Sequence, residues 1–297
     1  MEDNAAAVKE SRRILRRIQE HLYRAHENLG AKRETVGMVD VFHHPESTLA
    51  SLNYITPRRS TAWVSSDMVQ EGLDYLQKLG RVPRIHYIEG LLPPLFARTL
   101  RDLNLVPEWE LPLMVYPKAG FNGETPPTPS LANVPVDIVI EPVNDQRGIE
   151  LWWYVWRNAY YDVMTLGVEP LFVGRDMAAL KQGHQVDILM YRAGFPVGVA
   201  RVSMQEDTGH LLALALMKEA RTPELVRLLH VAALNAALER GCALVYAPGE
   251  SESDRRLCRT LGFLDFGSVV CYRAKSDEGD DHDRDGNVMG QPVLALR

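Results

Sequence analysis

Cysteine is scarce in this sequence. Cys242, Cys258 and Cys271 are the three in a chain of 297 residues, and an odd set so widely spaced encodes neither a disulfide framework nor a paired-thiol metal site. Long apolar runs are missing as well. Nothing approaches the ~18 consecutive apolar residues that a membrane span needs. Met1 to Glu10 lack the charged-then-apolar layout of a secretory leader, so the expectation is a cytoplasmic protein that does not enter a membrane. The G-x-S-x-G, H-E-x-x-H, P-loop and dinucleotide fingerprints are absent, which removes the direct signals of serine hydrolases, zinc peptidases and common nucleotide enzymes. Metal ligands are few. His43 and His44 have no acidic or cysteine partner at useful spacing, and Asp281, Asp283, Asp285 and Gly286 open like a calcium loop that meets Pro292 where its closing Glu belongs. No metal is expected.

What is present is ordinary globular material, 46% hydrophobic and 24% charged, with enough apolar side chains for one or two cores. The length is about twice the commonest domain size and favours either two domains of ordinary size or one large one. Charge is uneven within a net −6. Residues 276–297 carry Asp277, Glu278, Asp280, Asp281, Asp283 and Asp285 and read as an acidic flexible tail. At the other end, Arg12, Arg13, Arg16, Arg17 and Arg24 lie on a helix whose Ile14, Ile18, Leu22, Ala25 and Leu29 form an apolar stripe. The stripe docks on a core, and the arginines face water or a polyanion.

Residues 1–35 therefore read as a basic amphipathic helix, and 36–117 as a first domain with the order β, β, α, β, α, β. Pro117, Gly120, Gly123, Pro126, Pro127, Pro129 and Pro135 mark 118–135 as a linker. A second domain, 136–275, has a strand at Val136–Val143 and an aromatic helix at Ile149–Met164. A short helix at Met177–Lys181 follows, then three meandering strands that turn first at Gly194. A helix at Pro223–Arg240, a strand at Ala243–Ala247, a helix at Glu252–Leu261 and a strand at Phe266–Arg273 complete it. The class is α+β.

The runs "PVGVARVSM" (196–204), "LLALALM" (211–217), "AALERGCALVYA" (236–247) and "ESDRRLCRTLGF" (252–263) carry a resemblance. Together they look like the core of a GNAT-superfamily (GCN5-related) N-acyltransferase. "PRIHYIEGLLPPLFARTLRDLNL" followed by "EWELPLMV" resembles a decayed copy of the same fold in the first half. The resemblance implies two tandem GNAT-like domains, each a mixed, mostly antiparallel sheet flanked by helices, with the first copy structural and the site in the second. It implies an acyl group moving from acetyl-CoA or another acyl-CoA to an amine of a small molecule or peptide.

The family's pyrophosphate loop, R/Q-x-x-G-x-G/A, aligns with Arg221 to Val226, where the Arg stands and both glycines are replaced. Thr222, Pro223 and Glu224 instead make a self-capped helix start. The donor is then expected along Leu214, Leu216 and Met217, on a strand splayed from Ala243–Ala247, with Lys218, Arg221, Thr222 and Arg227 about its phosphates. Cys258 holds the place of the family's acidic tyrosine, and Tyr246, Glu250 and His210 are further candidates for proton transfer. Trp152, Trp153, Trp156 and Tyr160 form either an acceptor pocket or a packing face. Two other readings stay open. Paired halves without a phosphate loop are similar in plan to Fem-type transferases that use aminoacyl-tRNA, with helix 9–33 as the tRNA contact. A non-catalytic ligand-binding protein is the third.

Overall fold

The computed structural model describes residues 2–58, 64–121, 124–127, 129–161 and 167–275. The expected acidic tail and residues 162–164 of the aromatic helix lie outside them. The chain divides into two compact units, Met1–Leu113 with the segment beginning at Asp265, and Met114–Leu264.

In the first unit, α1 (Glu2–Asn28) precedes β1 (Lys32–Val36), β2 (Val39–His43), β3 (Tyr54–Pro57) and α2 (Ser66–Lys78). β4 (Arg84–Ile88), α3 (Phe96–Asp102) and the start of β5 (Leu105–Pro117) follow, and the last strand, here β11 (Leu264–Ala274), returns to this unit. The strand order is β1-β2-β3-β4-β11-β5. Alternation along the strands builds two faces. Val39, Val41 and Ile55 point to a core with Val69, Leu73 and Leu76 of α2, whereas Phe42 and Tyr54 pack with Tyr23 of α1. α1 buries Ile14, Leu15 and Ile18 and also Gln19, His21 and His26, a wider face than the apolar stripe alone predicts. Arg13 and Arg24 pair with Glu10 and Glu20 of the same helix.

The second unit takes the end of β5, then β6 (Ile138–Pro142), α4 (Gln146–Tyr161), α5 (Pro170–Lys181), β7 (Gln185–Arg192), β8 (Phe195–Gln205) and β9 (Thr208–Leu216). A 3-10 turn at Lys218–Ala220 leads into α6 (Pro223–Glu239), β10 (Leu244–Pro248) and α7 (Glu252–Thr260). Its strand order is β5-β10-β9-β8-β7-β6. Ile188, Met190, Ala200 and Val202 face α6 residues Leu228, Leu229 and Val231, and the opposite face carries α4 and α5.

Three differences from the sequence reading have plain causes. β1 is a missed strand, because its Lys-Arg-Glu-Thr-Val run is exposed and lacks apolar alternation. The strand read as the close of the second half, β11, makes its antiparallel ladder with β4, Val269–Arg273 against Ile88–Arg84. Described residues of the Pro/Gly-rich stretch, Pro127 among them, pack within the second unit. Tyr116 Oη donates to Pro127 O at 3.1 Å. Gly262, at φ +90°, passes so close that a Cβ would lie 2.6 Å from Pro127 Cδ. Among the described residues no helix is long and apolar enough to cross a membrane.

Candidate active site

β9 and β10 run parallel but pair only over Thr208–His210 with Leu244–Tyr246, while the strands themselves continue to Leu216 and Pro248. Beyond the last pair they share no ladder, so main-chain N–H and C=O groups on the facing edges are left for another partner. That last pair is His210 and Tyr246, whose rings stack with centroids 4.3 Å apart and planes 9° apart. Tyr246 is 1% exposed, and burial pushes its hydroxyl well above the usual phenol range. It marks the fork where the strands part, and is poorly suited to protonate a leaving group.

Glu250 follows β10 by two residues and is anchored from α7. Arg255 Nη1 donates to Gly249 O at 2.8 Å, and Ser251 caps α7 in a capping box with Asp254. Although the Glu250 side chain as a whole reaches solvent, its carboxyl is desolvated, and with Asp254 nearby it is pushed up to about 7. Tyr160, at the end of α4, belongs to the same neighbourhood. Burial and Glu250 push its hydroxyl up to about 12, while Arg221 pulls the other way. Groups from three separate stretches of the sequence, Tyr160, Arg221, and Glu250 with Asp254, thus share one electrostatic environment. Asp254 escaped the sequence reading as a site residue, and its signal there was only the Ser-x-x-Asp cap.

The expected donor residues are spread along the fork. Leu216 is buried and Leu214 half-buried against the core. Met217 lines a separate cavity of about 480 Å3 with Tyr154 and Phe195. Lys218 and Arg227 are exposed, and Arg221 Nη2 donates to Leu216 O at 3.2 Å. Thr222 is the N-cap of α6, its side chain accepting from Leu225 N at 3.3 Å, and Val226 N bonds Thr222 O. Pro223 has no donor, so at most the Glu224 N–H remains in the first turn for an anion.

Other expected residues sit elsewhere. Trp152 and Trp153, 0% and 3% exposed, do not wall a pocket. Their indole N–H groups donate to Ala200 O at 2.9 Å and Asp176 Oδ2 at 3.0 Å, and the Arg201 guanidinium lies 4.1 Å over the Trp152 ring. Trp156 stacks between Trp152 and Tyr160 at 5.5 and 4.3 Å, which leaves Tyr160 as the accessible end of the aromatic row. Cys258 is 1% exposed in the core of the second unit, out of reach of a substrate.

No protein-family model and no curated protein matches the chain. Solved structures do. A GCN5-related N-acetyltransferase from Kribbella flavida superposes with a TM-score of 0.66 at 16% identity, covering 90% of this chain and 96% of its own. The chain has the GNAT fold. A second GCN5-related N-acetyltransferase, from Sphaerobacter thermophilus, gives a TM-score of 0.55 at 14% identity over 81% of each chain. A tandem GNAT protein from the clavulanic acid biosynthesis pathway gives 0.56 at 11% identity, over 81% of this chain and 79% of that one. Such coverage extends through both units.

Proposed function

We propose that this GNAT-fold chain is an N-acyltransferase, moving an acyl group from a thioester donor to an amine in the second unit. The observation that carries the reading is the fork between β9 and β10 with the Glu250 carboxyl poised at about 7 beside it. Edge groups of a splayed strand suit a donor arm built of amides and leave a main-chain N–H to polarise the thioester carbonyl. The start of α6 does not suit a pyrophosphate held in the usual way, because the first turn is capped by Thr222 and carries Glu224. No step is therefore routed through the phosphates.

Glu250 accepts the proton that the amine nitrogen loses as the C–N bond forms. The C–S bond breaks, and the same carboxyl, an acid near neutrality, returns the proton to the thiolate, the stronger base. Arg221 and Tyr160 flank this exchange, and Tyr160 offers a ring and a hydroxyl to the acceptor.

The test is amide formation by the full chain, with acetyl-CoA and with acetyl-pantetheine, across an amine panel between pH 5.5 and 9. The expected kcat/KM rises with pH through about 7 as Glu250 ionises, and Glu250→Gln loses about 10²–10⁴-fold together with that limb. Absence of amide product from both donors, or an unchanged pH profile in the variant, overturns the assignment.

A further inference from the structure

The first unit contains a cavity of about 710 Å3, within the size range of small-molecule sites. It opens where a second pair of parallel strands parts. β3 and β4 pair at a single position, Ile55 with Ile85, and their last residues, Pro57 and Ile88, line the cavity. Leu91, Leu92 and Pro93 extend this apolar wall.

The polar side is strongly cationic. Arg12, Arg16, Arg33 and Arg58 line it against Asp40 alone among carboxylates. Asp40 is already engaged, for Arg33 donates to its Oδ2 through Nη2 at 2.6 Å and Nε at 3.1 Å, and Thr35 donates to Oδ1 at 3.0 Å. Arg58 stands 3.9 Å from Asp40, beyond hydrogen-bonding distance. Arg12 and Arg16, one turn apart on α1, have no acidic partner among the described residues. Like charges at this spacing oppose each other in the absence of an anion. Gln19, 7% exposed, lies on the next turn and lines the same cavity, with no side-chain hydrogen bond to another described residue.

We propose that this cavity is a binding site for a small oxyanion-bearing molecule with an apolar body, separate from the acyl-transfer site. Guanidinium forks match phosphate and carboxylate oxygens bidentately. Arg12, Arg16 and Arg58 hold the anionic group, Gln19 hydrogen-bonds a polar atom beside it, and the wall from Pro57 to Pro93 takes the apolar portion. The unit read from sequence as a structural copy is thereby a ligand-binding module.

The test titrates the full chain calorimetrically with phenyl phosphate, benzoate and inorganic phosphate. Three variants accompany it: Arg16→Gln/Arg58→Gln in the cavity, the charge-matched Arg98→Gln/Arg101→Gln on α3 of the same unit, and the single Arg221→Gln in the other unit. An aromatic oxyanion is expected to bind at least about tenfold more tightly than inorganic phosphate. The Arg16/Arg58 variant, its thermal midpoint checked for folding, is expected to lose about tenfold or more, while the other two keep wild-type affinity. Preference for phenyl phosphate assigns a phosphorylated ligand and preference for benzoate a carboxylate; both support the site. Absence of binding by both aromatic compounds, or equal losses in the Arg98/Arg101 variant, overturns it.

Discussion

Arg201 is 1% exposed and lies between two aspartates, with Nη2 2.7 Å from Asp176 Oδ2 and 2.6 Å from Asp187 Oδ2. Burial by itself disfavours its charge, and the two carboxylates hold it charged and above its ordinary value. Among the described residues, removing the cation leaves buried Asp187 without a counter-charge and Asp176 with only Arg175, at 3.1 Å, as its cation. Arg201→Met is expected to lower unfolding stability by about 3–5 kcal/mol, measured by urea titration. Replacing Asp187 by Leu and Asp176 by Asn in the same chain is expected to restore most of it, and failure of that rescue would place the cost in lost packing on Trp152 rather than in unpaired charge. Glu250 shows the opposite use of desolvation. Its carboxyl is desolvated on a residue that is itself exposed, two positions past the end of β10, where a proton can arrive and leave.

At the scale of elements, short turns set the register of the second unit. β7 and β8 are joined by Ala193 and Gly194, with φ of 48° and 81°, the sign required at both centres of a type I′ hairpin. Gly194 was legible in the sequence as the turn. Ala193 carries a Cβ in a left-handed conformation that disfavours it by about 1 kcal/mol. Ala193→Asn is expected to raise stability by about 0.5–1 kcal/mol, read as an upward shift in urea midpoint with unchanged slope. A lowered midpoint would show that the turn is held by contacts the substitution breaks. The α6 start was legible too, Thr222 as cap and Pro223 at the first helical position, because capping depends on neighbours one turn away. α5 was read only from Met177, although Pro170 opens it; an apolar start followed by a Gly at 174 hid the helical period.

At the scale of the molecule, histidines in the first unit join a helix to the sheet. His26 of α1 reaches Tyr54 Oη through Nδ1 at 2.8 Å, and His86 of β4 stacks on the same ring at 4.2 Å. Burial lowers His26 to about 4 and depresses His86 as well. Both are neutral in the fold, whereas the unfolded chain protonates them below about 6.5. The His26 contribution is therefore complete above that value, is lost as pH falls from about 6.5 towards 4, and levels off below. The loss is on the order of 3 kcal/mol. Urea titrations at pH 7.5, 5.5 and 4.5 are expected to show it, with a shallower fall in His26→Phe. An equal fall in that variant would assign the acid sensitivity to other groups.

By itself the sequence determined the α+β class, the order of most elements, the capped start of α6, the first hairpin and the GNAT resemblance, and it nominated Glu250 and Tyr160. The elements among these depend on periodicity, turn chemistry or caps, which act over a few neighbouring residues; the two site residues were nominated through the resemblance. The tertiary structure decided which strand β11 joins. It also decided that Trp152, Trp153 and Cys258 are core, and that Tyr160 feels the charges of Arg221, Glu250 and Asp254. It gathered Arg12, Arg16, Arg33 and Arg58 around one cavity. Charge and burial are properties of a neighbourhood in space, and residues widely separated along the chain enter the same neighbourhood only once the strands are paired and the helices laid upon them.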